Sequence, residues 1–89
     1  MRTAVIDARV AASLRAFPRV GFIVPRYRHT AVDRNRLKRR LREIVRTMWL
    51  PVLPPRDIVL RVTPLAYDKD FDALRHEMTR VLDRLVATP

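Results

Sequence analysis

Between Arg26 and Arg46 the chain gathers Arg26, Arg28, Arg34, Arg36, Lys38, Arg39, Arg40, Arg42 and Arg46 against only Asp33 and Glu43. Guanidinium groups bind phosphate oxygens as a two-pronged fork, and lysine adds compact point charge. Asn35, set between Arg34 and Arg36, both donates and accepts hydrogen bonds, so it can fix an arginine or a ribose 2′-hydroxyl. The formal net charge is +10 with a pI near 11.6, and most of that excess lies in this one stretch. Such a field repels itself unless a partner neutralises it. Nucleic acid is the partner that the pattern favours. An anionic membrane surface is the rival, but basic membrane helices carry bulky aromatics on their apolar side. Here that side is aliphatic up to Trp49.

These charges need an element to display them. At about 100° per residue, Leu37, Leu41, Ile44 and Met48 form one stripe, flanked by Val45. Asn35, Arg36, Lys38, Arg39, Arg40, Arg42 and Arg46 spread over the opposite side. The spacing predicts a helix from about Val32 to Trp49, capped by Thr30 or Asp33 and ended by Pro51, Pro54 and Pro55. Thr3 to Ala12 alternates with a period of two, placing Ala4, Ile6, Ala8 and Val10 on one face and Thr3, Val5, Asp7 and Arg9 on the other. Ser13 to Pro18 reads as a connection. Val20 to Val24 is apolar on both faces, which predicts a central strand. Gly21, the only glycine, sits inside it and serves either a bend or the close approach of another group. Asp57 to Thr63 is a third strand with Ile58, Leu60 and Val62 inward, and Pro64 stops it. A closing helix follows Asp68 and Asp70, with Phe71, Leu74, Met78, Val81, Leu82 and Leu85 on its stripe. The order is β-β-α-β-α, with a hairpin available to the first two strands.

A chain of 89 residues with no cysteine holds one domain and neither disulfides nor thiolate metal sites. No apolar run approaches the ~18 residues of a membrane span, and Asp7 and Arg9 interrupt any signal-peptide core. His29 and His76 lack a second ligand at metal spacing. Asp68, Asp70 and Asp72 could hold Mg²⁺, but at a helix start they cap it and complement its dipole. No nucleophilic triad or glycine-rich phosphate loop is present. Trp49 is a core or edge anchor, with RNA stacking as the alternative; Phe22 either joins the core or faces a ligand cleft.

Arg19-Val20-Gly21, Val24, Ala31-Val32, Arg34-Asn35-Arg36, Lys38-Arg39 and Arg42-Glu43, in that order and spacing, resemble the protein subunit of bacterial ribonuclease P. The similarity extends from about Thr3 to Leu85, a single domain over residues 1–89. It implies an α/β two-layer sandwich like the second domain of ribosomal protein S5, with a left-handed crossover against the usual rule. It further implies a subunit that assists a catalytic RNA in cutting the 5′ leader from precursor tRNA. The chemistry then belongs to that RNA and its Mg²⁺, with no catalytic residue and no metal or other cofactor bound by this chain alone. Arg34, Asn35, Arg36, Lys38, Arg39, Arg40, Arg42 and Arg46 are the RNA-binding candidates. Phe22, Arg26, Tyr27 and Arg28 are the leader-contact candidates, the last three in a loop whose plain alternative is an exposed turn. The partners implied are the catalytic RNA and precursor tRNA, with no DNA and no membrane, in the cytoplasm.

Two departures bear on the leader. Pro25-Arg26-Tyr27 stands where the family commonly has serine-lysine-lysine. The family also opens with a short basic helix before its first strand; here the start is almost at the strand, so that helix is expected to be absent and apolar sheet surface uncovered. The alternative is a ribosomal or ribosome-assembly protein of similar topology. A protein nuclease is a third reading, with no acid/base pair placed for it.

Overall fold

Ile58, Leu60 and Val62 alternate along β3 (Arg56–Val62) and are each no more than 1% exposed. That alternation decides the layering. The computed structural model describes residues 1–12 and 14–87 of the chain. In it β1 (Ile6–Ala12) runs antiparallel to β3, from Ile6 opposite Val62 to Ala12 opposite Arg56. On the other side β2 (Arg19–Ile23) runs parallel to β3, from Arg19 opposite Asp57 to Ile23 opposite Arg61. The strand order is β1-β3-β2.

Two expectations are corrected here. The first two strands form no hairpin, because each pairs with β3 instead. Nor is β2 central: Val20 and Phe22 pack in part against the core, while Ile23 is 47% exposed on the opposite face. An apolar run can mark an edge strand whose outer face stays open. The first strand also begins later than its alternation suggests. The Thr3 hydroxyl accepts the Val5 and Ile6 N–H groups at 3.2 and 3.0 Å, and the Thr3 N–H donates to Ile6 O at 2.7 Å. This turn folds residues 1–3 back on β1, where Met1 and Ala8 exchange backbone bonds. It resets the two-residue phase, so neighbours Val5 and Ile6 are both buried. Of the predicted connection from Ser13 to Pro18, Ser13 lies outside the described residues.

Helix α1 (Ala31–Ile44) carries the chain from β2 to its parallel neighbour β3, the crossover that a parallel pair requires. Thr30 is its N-cap: the hydroxyl accepts the Asp33 N–H, and the Asp33 carboxylate accepts the Thr30 N–H in return. Leu37, Leu41 and Ile44 are buried as the periodicity requires. Beyond them the helix widens into a π-helical turn, Val45–Trp49, closed by Leu50 N–H donating to Val45 O. The wider turn changes the angular step, so Trp49 is buried and Met48 only half-buried.

A 3₁₀ turn (Pro64–Asp68) follows β3, with Pro64 at its start rather than as a plain stop. Asp70 caps α2 (Phe71–Ala87), its carboxylate accepting the Ala73 N–H at 2.8 Å; Asp68 belongs to the turn before it. Leu74, Met78, Val81, Leu82 and Leu85 are buried as expected, while Phe71 stays 36% exposed. Both helices cover the Ile58–Leu60–Val62 face. The other face, with Asp7 and Arg9 of β1, Val59 and Arg61 of β3 and Gly21 and Ile23 of β2, is covered by no described element.

Leu41→Ala should cost about 2–5 kcal/mol in urea unfolding, because a fully buried side chain leaves a cavity. Trp49→Phe should cost less, since the indole Nε1 is buried with no hydrogen-bond partner among the described residues and its loss relieves an unpaired donor.

Candidate nucleic-acid interface

The buried stripe fixes where every charge on α1 points. Stepping about 100° per residue from Leu37 and Leu41, Arg36 and Arg40 fall on one flank and Lys38 and Arg42 on the other. Asn35 and Arg39 ride the crest, both exposed. The concavities of the surface follow this division. Arg36 and Arg40 line a notch with His29, Asp33, Leu37, Ala66 and Tyr67. Lys38, Arg42 and Arg46 line a groove with Val20, Gly21, Phe22, Val45 and Leu50 on the far flank. Arg46, four residues after Arg42, continues that flank.

The eight candidates are thus brought onto one helix but are not equivalent. Arg34 is half-buried, and its Nε donates to Val24 O at 2.7 Å, which ties the helix start to the end of β2. The Nη1 of Arg40 reaches Lys69 O at 3.4 Å across to the loop before α2. Arg46 forms a two-pronged pair with Glu43 at 2.6 and 3.3 Å, which holds its guanidinium pKa above the ordinary value. Asn35, Arg36, Arg39 and Arg42 are exposed and form none of these ties. The face is therefore anchored at its ends and open at its middle.

The loop candidates resolve into a small aromatic assembly. Tyr27 adopts φ 54°, the left-handed region that few non-glycine residues enter. Its hydroxyl donates to Val62 O at 2.8 Å, and its ring meets Tyr67 edge-on at 6.3 Å. Tyr67 in turn donates to Pro25 O at 2.6 Å. Burial pushes the Tyr67 hydroxyl pKa up, with Arg34 opposing. The His29 ring stacks flat on Tyr67 at 4.0 Å with its Nδ1 3.6 Å from the Asp33 carboxylate. Arg26 and Arg28 are exposed beside this assembly. Phe22 lies half-buried against the core and also lines the Lys38–Arg42 groove, so it serves both of the alternatives open to it.

In the sequence His29 stands out only as an unsupported metal ligand. Its four-residue spacing to Asp33 was a usable signal; Tyr67, 38 positions away, was not. Asp68, Asp70 and Asp72 do not converge. Asp70 caps α2, Asp72 pairs with Arg75 at 3.3 Å, and no group of three His, Asp or Glu side chains placed to hold a metal occurs among the described residues. Across those residues no helix is long and apolar enough to cross a membrane.

The family model for ribonuclease P matches residues 2–86. The ribonuclease P protein component of Acidothermus cellulolyticus is 45% identical over 75 residues, covering 83% of this chain and 62% of that protein. The component of Streptomyces griseus is 34% identical over 86 residues, covering 97% and 70%. The chain thus spans only 62% of the Acidothermus protein's length, and 57% of the length of the Symbiobacterium thermophilum component, to which it is 42% identical over 66 residues. The ribonuclease P protein of Thermotoga maritima superposes with a TM-score of 0.84 at 25% identity, over 94% of this chain and 82% of that one. The Staphylococcus aureus protein shares the fold with a TM-score of 0.87 at 20% identity, over 94% of this chain and 77% of that one.

The capping box gives a pH test. The Asp33 carboxyl is held below its ordinary pKa chiefly by the Thr30 backbone N–H, with partial desolvation opposing and the Thr30 side chain and His29 assisting. A depressed folded-state value stabilises the fold above the unfolded carboxyl pKa of about 3.9 and is lost as pH falls through the lower folded value. The melting temperature of Asp33→Asn should therefore lie below wild type at neutral pH, and the gap should close on acidification. A gap independent of pH would show that Asp33 contributes nothing through its charge.

Proposed function

The chain belongs to the ribonuclease P protein family, and from that membership we propose that it is the protein subunit of ribonuclease P, assisting a catalytic RNA in the 5′ maturation of tRNA. The observation that carries this reading is the divided basic helix: crest and both flanks of α1 present cations, while Arg34 and the capping box hold its start against β2. A structured RNA can meet such a helix from several directions at once. A membrane surface, being flat, could not use both flanks. The family comparisons support this over the ribosomal alternative.

In this assignment Arg36, Arg39 and Arg42 take phosphates of the catalytic RNA, with Asn35 fixing one of them or a 2′-hydroxyl, and Lys38, Arg40 and Arg46 close the flanks. Arg34 works mainly by holding the helix start. The leader of precursor tRNA lies beside the sheet, near Phe22 and the Arg26-Tyr27-Arg28 loop. Tyr27, its hydroxyl anchored on Val62, offers a base-stacking surface worth ~1–3 kcal/mol. Mg²⁺, held mainly by the RNA, supplies the chemistry of phosphodiester hydrolysis. This chain's residues bind and orient RNA and are assigned no catalytic step. The work is placed in the cytoplasm, with neither DNA nor membrane as partner.

Mixed with a cognate catalytic RNA and a precursor tRNA at low Mg²⁺, the protein should accelerate cleavage over the RNA alone; equal rates would overturn the reading. If about six phosphates are neutralised, binding should fall with salt at a log–log slope of roughly −4 to −5. Arg36→Ala with Arg39→Ala should weaken RNA binding and flatten that slope by roughly one to two, while the circular-dichroism spectrum keeps its helical form. Loss of that spectrum would mean the two arginines support the fold instead.

A further inference from the structure

The notch between α1 and the 3₁₀ turn lies on the opposite flank of the helix from the Lys38–Arg42 groove, and its chemistry is mixed. Arg36 and Arg40 line one wall, Ala66 and Tyr67 the other, and His29 and Asp33 complete it toward the helix start. The Asp33 side chain is 42% exposed. Its Oδ2 accepts the Thr30 N–H and faces His29, while Oδ1 accepts no hydrogen bond among the described residues. Arg40 is half-buried, and its bond to Lys69 O occupies one of the five guanidinium donors. Arg36 is exposed at the rim.

Simple occupants fit this lining poorly. A phosphate or an acidic side chain seated in the notch would be set against Asp33. A metal ion or a basic side chain would be set against Arg36 and Arg40. An apolar group would desolvate carboxylate and guanidinium and pair neither. A neutral ring with donors on one edge and acceptors on the next satisfies both. The notch holds about 250 Å³, less than the roughly 300–1,000 Å³ of sites for drug-sized ligands, so it has room for one ring system. His29 supplies a platform: its ring lies on Tyr67 at 4.0 Å with 4° between the planes, and its side chain is 37% exposed. Exposed aromatic rings of this kind stack nucleobases. Among the four RNA bases, guanine alone sets two adjacent donors, N1–H and N2–H, beside two adjacent acceptors, O6 and N7.

We propose that the notch is a guanine site, into which an unpaired guanosine of a structured RNA turns its base. The base stacks on His29. The Arg40 fork donates to O6 and N7, the pairing by which arginine most often recognises guanine. The Asp33 Oδ1 accepts N1–H or N2–H, which adenine and cytosine cannot offer beside such an acceptor pair. Arg36, at the rim, meets the nucleotide's own phosphate. Contacts to phosphate position a protein on RNA, and contacts to a base edge select the sequence. This inference rests on the ribonuclease P reading for the source of the guanosine, and it adds a base-selective contact on the flank of the helix whose crest meets the RNA backbone.

The test uses two fluorescein-labelled oligouridylates of about seven nucleotides, one with a central guanosine and one with a central adenosine. Contacts common to both probes cancel in the ratio of their affinities. Wild type should favour the guanosine probe about tenfold, the discrimination of one two-pronged base contact. Arg40→Lys keeps the charge and loses the fork, and His29→Ala removes the platform; each should bring the ratio close to one. A probe with 7-deazaguanosine, which lacks the N7 acceptor, should lose most of the preference with the protein unaltered. Free GMP should compete more weakly than the guanosine probe, because it lacks the neighbouring phosphates; equal affinity would overturn RNA as the source in favour of a free nucleotide. A wild-type ratio within about twofold of one would overturn the site, and so would a preference that survives both substitutions or the 7-deaza probe. Failure of the wild-type protein to accelerate the catalytic RNA would instead overturn the ribonuclease P reading, with the probe ratio still deciding the guanine site.

Discussion

Burial of Leu37, Leu41 and Ile44 against the sheet holds together a surface that would otherwise fly apart. Cations on the crest and both flanks of one helix repel each other, and the few polar ties from them do not by themselves hold the helix to the protein. Only the apolar stripe does so, and it works because Ile58, Leu60 and Val62 give it a dense partner. Local ties then fix the angle. The Thr30–Asp33 capping box sets where the helix begins, and the bond from Arg34 to Val24 pins that start to the neighbouring strand. Display of charge is thus a product of packing underneath it.

Elements governed by local periodicity were legible from the residues. The stripe of α1, the stripe of α2, the alternation of β3 and the Thr30 cap all follow from chemistry within a few positions. Pairing was not legible. Nothing in Ile6–Ala12 or Arg19–Ile23 says that both strands should seek β3, which lies more than forty residues beyond β1, rather than each other. The apolar run in β2 pointed to the centre of the sheet, yet Ile23 faces outward on an edge. At the N-terminus the Thr3 hydroxyl won two backbone donors and broke the alternation that the side chains alone suggested.

The interface divides in the same way. Which cations stand on α1, and on which side, could be read directly from the helical step. How they are apportioned could not. Arg34 spends a donor on Val24, Arg46 is drawn to Glu43, and Arg40 leans toward Lys69, so similar letters do different work. The loop was harder still. The positive φ of Tyr27 and the stack of His29 on Tyr67 depend on a residue from the 3₁₀ turn after β3, brought there by the crossover itself.

The π-helical turn at Val45–Trp49 has a bearing on how this fold tolerates change. It behaves as a one-residue insertion absorbed inside a helix: the extra residue is looped into a wider ring, and the chain leaves with Trp49 seated where a regular helix would have seated Met48. Its effect on everything upstream is insulation. Residues after it, including the proline-rich link to β3, can lengthen or shorten and be taken up by rewinding this ring. The charged turns from Ala31 to Ile44 need not rotate to follow. Variation in the link is thereby decoupled from the angle at which the helix meets its partner.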